Sequence, residues 1–160
     1  MKLYHGSLER VESPEIRQPN RTLDYGSGFY LTSSQEQAES WVRRKFKGDI
    51  SRGWVNVYEY NQHIKSALSV LSFDKPDEQW LDFVMSNRLD KSFTHGYDIV
   101  EGPVANDRVY ASFALYEAGL LGKQALIDEL KAYKLVNQIL LHTEAALRSI
   151  RFINAEEIMK

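Results

Sequence analysis

The sequence predicts an α+β fold with a mostly antiparallel sheet, and three observations lead there. Short runs with strand alternation or continuous apolar character recur along the chain, among them "KLYH", "FYLT", "WVNVYEYN" and "YDIVEGPV". Stretches with helical spacing lie between them, such as "QEQAESWVRRKF" and "DEQWLDFVMSNR". The two kinds mix without the regular strand–helix alternation that a parallel βαβ sheet needs. At 160 residues, 43% hydrophobic and 26% charged, the chain is sized for one domain, expected to span residues 1–160.

Taken in order, "KLYH" reads as a short strand ending at Gly6, and "VESPEIRQPNRTLDYGSG" carries the Pro, Asn and Gly punctuation of a long loop before "FYLT" resumes as strand. Loops of that length are commonly functional. Ser34 and Gln37 have capping-box spacing, each side chain placed to satisfy an N–H at a helix start. A helix from about Gln35 to Phe46 follows, with Ala38, Trp41 and Val42 on one face. In "WVNVYEYN" the alternation places Val55 and Val57 on one side and Trp54, Tyr58 and Tyr60 on the other, with "SALSVLSF" as the expected partner strand.

Asp77 is placed to cap a helix whose inner stripe is Trp80, Phe83, Val84 and Asn87. "YDIVEGPV" reads as a strand running into a Gly-Pro turn. Val109, Phe113 and Tyr116 mark the next helix, with Gly119 near its end, and Leu126, Leu130 and Tyr133 mark another. "NQILLHT" returns to strand, a short helix covers Glu144 to Leu147, and "SIRFIN" closes the sheet.

Composition narrows the function classes. A net charge of −2 lacks the basic excess by which general nucleic-acid binders neutralise phosphates. With no cysteine there is no disulfide, thiolate nucleophile or cysteine-ligated zinc, which fits a reducing cytosol. No apolar run has the length of a signal peptide or a membrane span, so the expectation is a soluble, cytoplasmic protein without a membrane partner.

"GSGFYL" begins like a dinucleotide fingerprint, but it lacks the third glycine and leads into a strand where that motif needs a helix. Gly26 and Gly28 are then simply glycines that permit a tight turn. The histidines at 5, 63, 95 and 142 show no metal-ligand spacing, so no metal is expected. A triad of Ser7, His5 and Asp98 lacks a nucleophile elbow, and "RRKFK" reads as the solvated, dipole-compensating end of a helix.

Three pieces remain. "YHGS" is a strand ending in His-Gly with a small hydroxyl residue after it; "GSGFYLTSSQEQAESW" is a Gly-aromatic-Tyr strand followed by a helix carrying a second ring; and "NQILLHT" is an apolar strand led by Asn and Gln. Together they resemble the ADP-ribosyltransferase superfamily, whose signature is His, Tyr and Glu on three separate strands. With "YDIVEGPVAND" added, the chain more closely resembles an uncharacterised bacterial branch of that superfamily, members of which look like toxin components.

The resemblance implies an ADP-ribosyltransferase-like fold with a split sheet, and NAD as co-substrate. His5, Tyr30 and Gln138 take the catalytic positions. His5 would bond an adenosine-side ribose hydroxyl, the Gly6 main chain would pair with the nicotinamide carboxamide, and Tyr30 and Trp41 would stack on the nicotinamide. Ser7, Arg21 and Asp24 would meet ribose or pyrophosphate, with Gly28 in the Tyr30 motif. The usual glutamate is replaced by Gln138, which can hydrogen-bond the ribose but carries no charge to stabilise a developing cation. Ala38 stands where several relatives have a carboxamide-bonding serine.

Asp107, with Asn106 beside it, is the first candidate for a compensating carboxylate and Glu144 the second, although a charge at a helix start is favoured by the dipole alone. The implied activity is transfer of one ADP-ribose to a macromolecular acceptor, a protein ahead of a nucleic acid, by the toxin of a bacterial toxin–antitoxin pair with a small antitoxin protein as partner. The competing readings are a non-catalytic NAD, ADP-ribose or protein-binding module, which Gln138 favours, and an NAD-dependent RNA 2′-phosphotransferase.

Overall fold

A computed structural model of the chain describes residues 1–17, 23–104, 107–133 and 135–160. Strands β1 (Lys2–Ser7), β2 (Phe29–Thr32), β3 (Arg52–Tyr60), β4 (Val70–Ser72), β5 (Ile99–Pro103), β6 (Asn137–Leu141) and β7 (Ile150–Met159) form one sheet in the order β4-β5-β6-β2-β1-β3-β7. Every pairing is antiparallel except β4 with β5. Helices α1 (Gln35–Arg44), α2 (Gln62–Lys65), α3 (Glu78–Leu89), α4 (Asp107–Glu117), α5 (Lys123–Ala132) and α6 (Glu144–Leu147) surround it. This is the mixed α+β architecture expected from the sequence.

Local signals place most elements. Asp77 Oδ1 accepts from the Trp80 N–H at 2.9 Å, which starts α3 and turns Trp80, Leu81, Val84 and Met85 inward. Gly119, at φ 74°, follows the end of α4. The residues on one face of β2, β5 and β6, with Tyr30, Val100 and Leu140 among them, meet α3, α4 and α5 through Trp80, Val84, Phe113, Leu126 and Leu130. The opposite face gathers Leu3, Phe29, Leu31, Tyr58, Ile99, Ile139 and Leu141. A third cluster lies under α1, where Ala38 and Val42 meet Val55 and Val57.

Two expectations are corrected. "SALSVLSF" supplies β4, but β4 runs parallel beside β5, whereas β3 pairs with β1 and β7. An edge strand of three residues has little pattern of its own, and its partner is chosen by tertiary packing. The closing strand is also longer than "SIRFIN", because β7 follows β3 along its length across a register shift at Val57/Tyr58.

Candidate functional site

The sheet order puts β6, β2 and β1 side by side, so the strands carrying Gln138, Tyr30 and His5 are neighbours. Pairing of Tyr30 with Leu140, Thr32 with Gln138 and Tyr4 with Thr32 places positions 4, 6, 30 and 138 on one face. His5 belongs to the other face, where its ring lies 4.2 Å from that of Phe29. It reaches β2 by a 2.7 Å hydrogen bond from Nδ1 to the Tyr30 carbonyl oxygen. A carbonyl only accepts, so Nδ1 carries the proton and Nε2 is left as an acceptor suited to a hydroxyl. Burial, assisted by the charge of Lys45 and opposed by the Tyr30 carbonyl, lowers the His5 pKa to about 4 and keeps the ring neutral at pH 7.

Main-chain alternation shows where Gly6 faces. The Tyr60 N–H donates to the Met1 carbonyl at 2.8 Å, one step beyond the Lys2–Glu59 pair. Hydrogen-bonded pairs recur at every second position, so Leu3, His5 and Ser7 bond β3, while Tyr4 and Gly6 turn their N–H and C=O toward β2. The register of β1 with β2 is the single pair Tyr4–Thr32, so at Gly6 the two strands have separated. Lys45 Nζ donates to the Gly6 carbonyl at this opening, at 2.9 Å.

Helix α1 closes over the same point. A Cβ built on Gly6 would run into the Ala38 carbonyl oxygen and lie 3.1 Å from the Trp41 Cβ, so a glycine is required for α1 to sit there. Trp41 is half-buried, outside the three core clusters, and its ring joins no aromatic pair among the described residues. Core packing therefore does not account for its indole.

The Tyr30 hydroxyl is fully used. It donates to the Gly26 carbonyl at 2.6 Å and accepts from the Tyr25 N–H at 3.0 Å, and burial pushes its pKa well above the usual tyrosine value. Its ring, not its proton, is what this residue can offer a ligand. Gly28 has φ 142°, and a side chain there would meet the Leu141 carbonyl, so the turn before Tyr30 depends on glycine.

Gln138 is 4% exposed. Its Nε2 lies 3.5 Å from the Pro103 carbonyl, and its amide also reaches the Tyr25 hydroxyl. That hydroxyl, buried and with its pKa raised by desolvation, donates to Pro103 O at 2.9 Å and accepts from Trp80 Nε1 at 2.8 Å. The amide nitrogen of Gln138 is thus fixed, and its carbonyl oxygen is the end outside this network. Tyr25→Phe should strand the buried Trp80 N–H and cost about 2 kcal/mol. The check is a lower urea midpoint at unchanged m-value.

The remaining expected residues are spread more widely. Ser7 Oγ accepts from the Glu9 N–H at 3.2 Å, beside the opening. Asp24, 7% exposed, meets Arg88 Nη1 at 3.3 Å and the Tyr110 hydroxyl at 3.5 Å, so its carboxylate is committed within the protein. Asp107 opens α4, and Arg21 and Asn106 lie outside the described residues. Glu144 is exposed beyond Leu141, at the opposite end of β6 from Gln138. Among the described residues no group of His, Asp or Glu could hold a metal ion, and no helix is long and apolar enough to cross a membrane.

A family described as "Protein of unknown function (DUF3990)" matches residues 1–152. The chain belongs to this family. No curated protein matches it.

The DUF3990 span contains every residue of the opening described above. It also contains partners that sequence reasoning missed. Arg88 holds Asp24, contacts Glu117 at 3.3 Å and lies over the rings of Tyr110 and Phe113, 5.3 Å from each. The rings of His95 and His142 lie 4.1 Å apart, tilted by 35°, and bond the carbonyls of Tyr25 and Ser27, which fastens the loop before β2. The pairing of a buried acid with a cation 64 residues away leaves no local trace. Lys45 was legible only as part of a basic helix end.

Proposed function

We propose that this DUF3990 protein is a mono-ADP-ribosyltransferase with an ADP-ribosyltransferase-like fold, acting on NAD at the opening between β1 and β2. The observation that carries this reading is the meeting of Gly6 and Trp41 at the point where β1 leaves β2, with Tyr30 and Gln138 on the same face of the neighbouring strands. Gly6 offers a main-chain N–H and the second lone pair of a carbonyl that already accepts from Lys45, in the spacing that a carboxamide complements. Trp41 and Tyr30 supply the flat surfaces between which a nicotinamide ring stacks. His5 Nε2 accepts from a ribose hydroxyl.

In the reaction the bond between the anomeric carbon and the nicotinamide nitrogen breaks, and its electron pair leaves with neutral nicotinamide. The cation-like ribose carbon then bonds an acceptor nucleophile, whose proton passes to solvent. Gln138 contributes a hydrogen bond to the sugar and no charge, which suits single, slow transfer. The acceptor is a macromolecule, with protein ahead of nucleic acid. By the same resemblance the biological role is that of a toxin, held in check by a small antitoxin protein.

Incubation with NAD should release nicotinamide, and Gln138→Glu should raise the rate at least about tenfold, since a carboxylate stabilises the developing cation. The Tyr25 hydroxyl can turn its proton toward the new carboxylate. NAD binding without nicotinamide release from either protein would instead support the non-catalytic binding module, which the uncharged Gln138 favours. Absence of NAD binding would defeat the transferase reading and leave the module only ADP-ribose or a protein as its ligand.

A further inference from the structure

Gln37 shares a stripe of α1 with Trp41 and Lys45, at successive intervals of four residues. The stripe is located by two contacts: Trp41 Cβ borders Gly6, and Lys45 Nζ bonds the Gly6 carbonyl. It therefore runs along the β1–β2 opening. Among the described residues, Gln37 Nε2 is the buried side-chain polar atom that has no hydrogen-bond partner.

The capping box expected at the helix start would have used this side chain. Ser34 does accept from the Gln37 N–H, at 3.1 Å, but the Ser34 N–H donates to Thr32 Oγ1 at 3.0 Å. Thr32 takes the role that the box assigns to the glutamine. The Gln37 side-chain oxygen is thus not called on at the helix start, and the Nε2 donor, which a capping box does not use, is buried without a partner, a standing cost to the fold. Ala38, the neighbour packed on Gly6, has no side-chain donor of its own.

We propose that Gln37 is a binding residue whose Nε2 donates to the carbonyl oxygen of a planar aromatic carboxamide stacked on Trp41. This rests on the NAD reading above, in which that carboxamide is the nicotinamide end. Its ring then meets Trp41, its amide meets the Gly6 main chain, and its carbonyl oxygen satisfies the orphaned donor. Gln37 distinguishes NAD from ADP-ribose, which lacks the ring.

The test compares wild type with Gln37→Met, of similar length without a donor, and Gln37→Glu, which replaces the donor by an acceptor. Calorimetry uses NAD and ADP-ribose as separate probes, and thermal melting without ligand checks the fold. Gln37→Met should melt at or above the wild-type temperature, because an unsatisfied group has been removed. Both variants should bind NAD at least about tenfold more weakly, with ADP-ribose affinity unchanged. Unchanged NAD affinity, or equal losses for the two probes, overturns the role of Gln37 and leaves the NAD reading standing. If wild type binds neither probe, the NAD reading fails and this inference fails with it.

Discussion

Gly6→Ala is expected to lower the melting temperature by roughly 6–12 °C and to disorganise the opening between β1 and β2. The added methyl meets the main-chain oxygen of Ala38 and comes within 3.1 Å of the Trp41 Cβ. A backbone atom cannot rotate away, so α1 must lift from β1. Overpacking costs about 1–3 kcal/mol in general, and a backbone obstacle sets this case at about 3 kcal/mol or above. For a chain of this length each kcal/mol corresponds to roughly 2–4 °C. Gly96→Ala is the control, because a Cβ there has nothing within 4 Å. Equal melting temperatures for the two variants would show that α1 does not depend on Gly6.

Acid should destabilise the protein well before its carboxylates titrate. His5 has its pKa lowered from 6.5 to about 4, chiefly by burial. The unfolded chain therefore takes up the proton first, and stability rises with pH across this interval. The contribution is complete above about pH 6.5, declines as pH falls, and is lost below about 4. It amounts to something on the order of 3 kcal/mol. His95 acts in the same direction, its pKa lowered mainly by burial and further by the neighbouring His142. Asp98, held below the usual carboxylate range by Thr143 and the Ser69 N–H, adds its loss only at lower pH. Urea midpoints from pH 7.5 down to 4.5 should fall steeply for wild type and more gently for His5→Gln. Parallel curves would remove His5 as the cause.

The parts of the fold that were legible are those whose signals are local. The Asp77 cap, the stripe around Trp80 and the short helix at Glu144–Leu147 each follow from a few adjacent residues, and each lies where the pattern puts it. β4 reads as strand from its apolar run, but three residues carry no register information, and its neighbour is β5 and not β3. The capping box was half legible. Ser34 caps as its type predicts, but the competition of Thr32 for the Ser34 N–H depends on how β2 turns into α1.

In the candidate site, strand adjacency brings 5, 30 and 138 together in sheet order, and the pleat then divides them, with His5 on the face opposite Tyr30 and Gln138. Alternation within one strand says nothing about which face the next strand offers. The support around the site was also hidden. Tyr25 meets Trp80 across 55 residues, and Asp24 meets Arg88 across 64. Trp80 reads from its spacing only as a core aromatic, and Asp24 is expected to meet a ligand, whereas it is held by Arg88.

The ladder joining β1 to β2 has one rung, against six between β1 and β3 and four between β2 and β6. The main-chain ladder is consequently thinnest near the centre of the sheet, not at its margins, and the two halves are joined along that seam largely by side chains, with Leu3 and Tyr58 packed against Phe29 and Leu31 and His5 bonded to the Tyr30 carbonyl. Any molecule gripping both lips of the seam works as a crossbar. Its arrival would be registered as slower amide exchange in β1 and β2 on both sides of the seam.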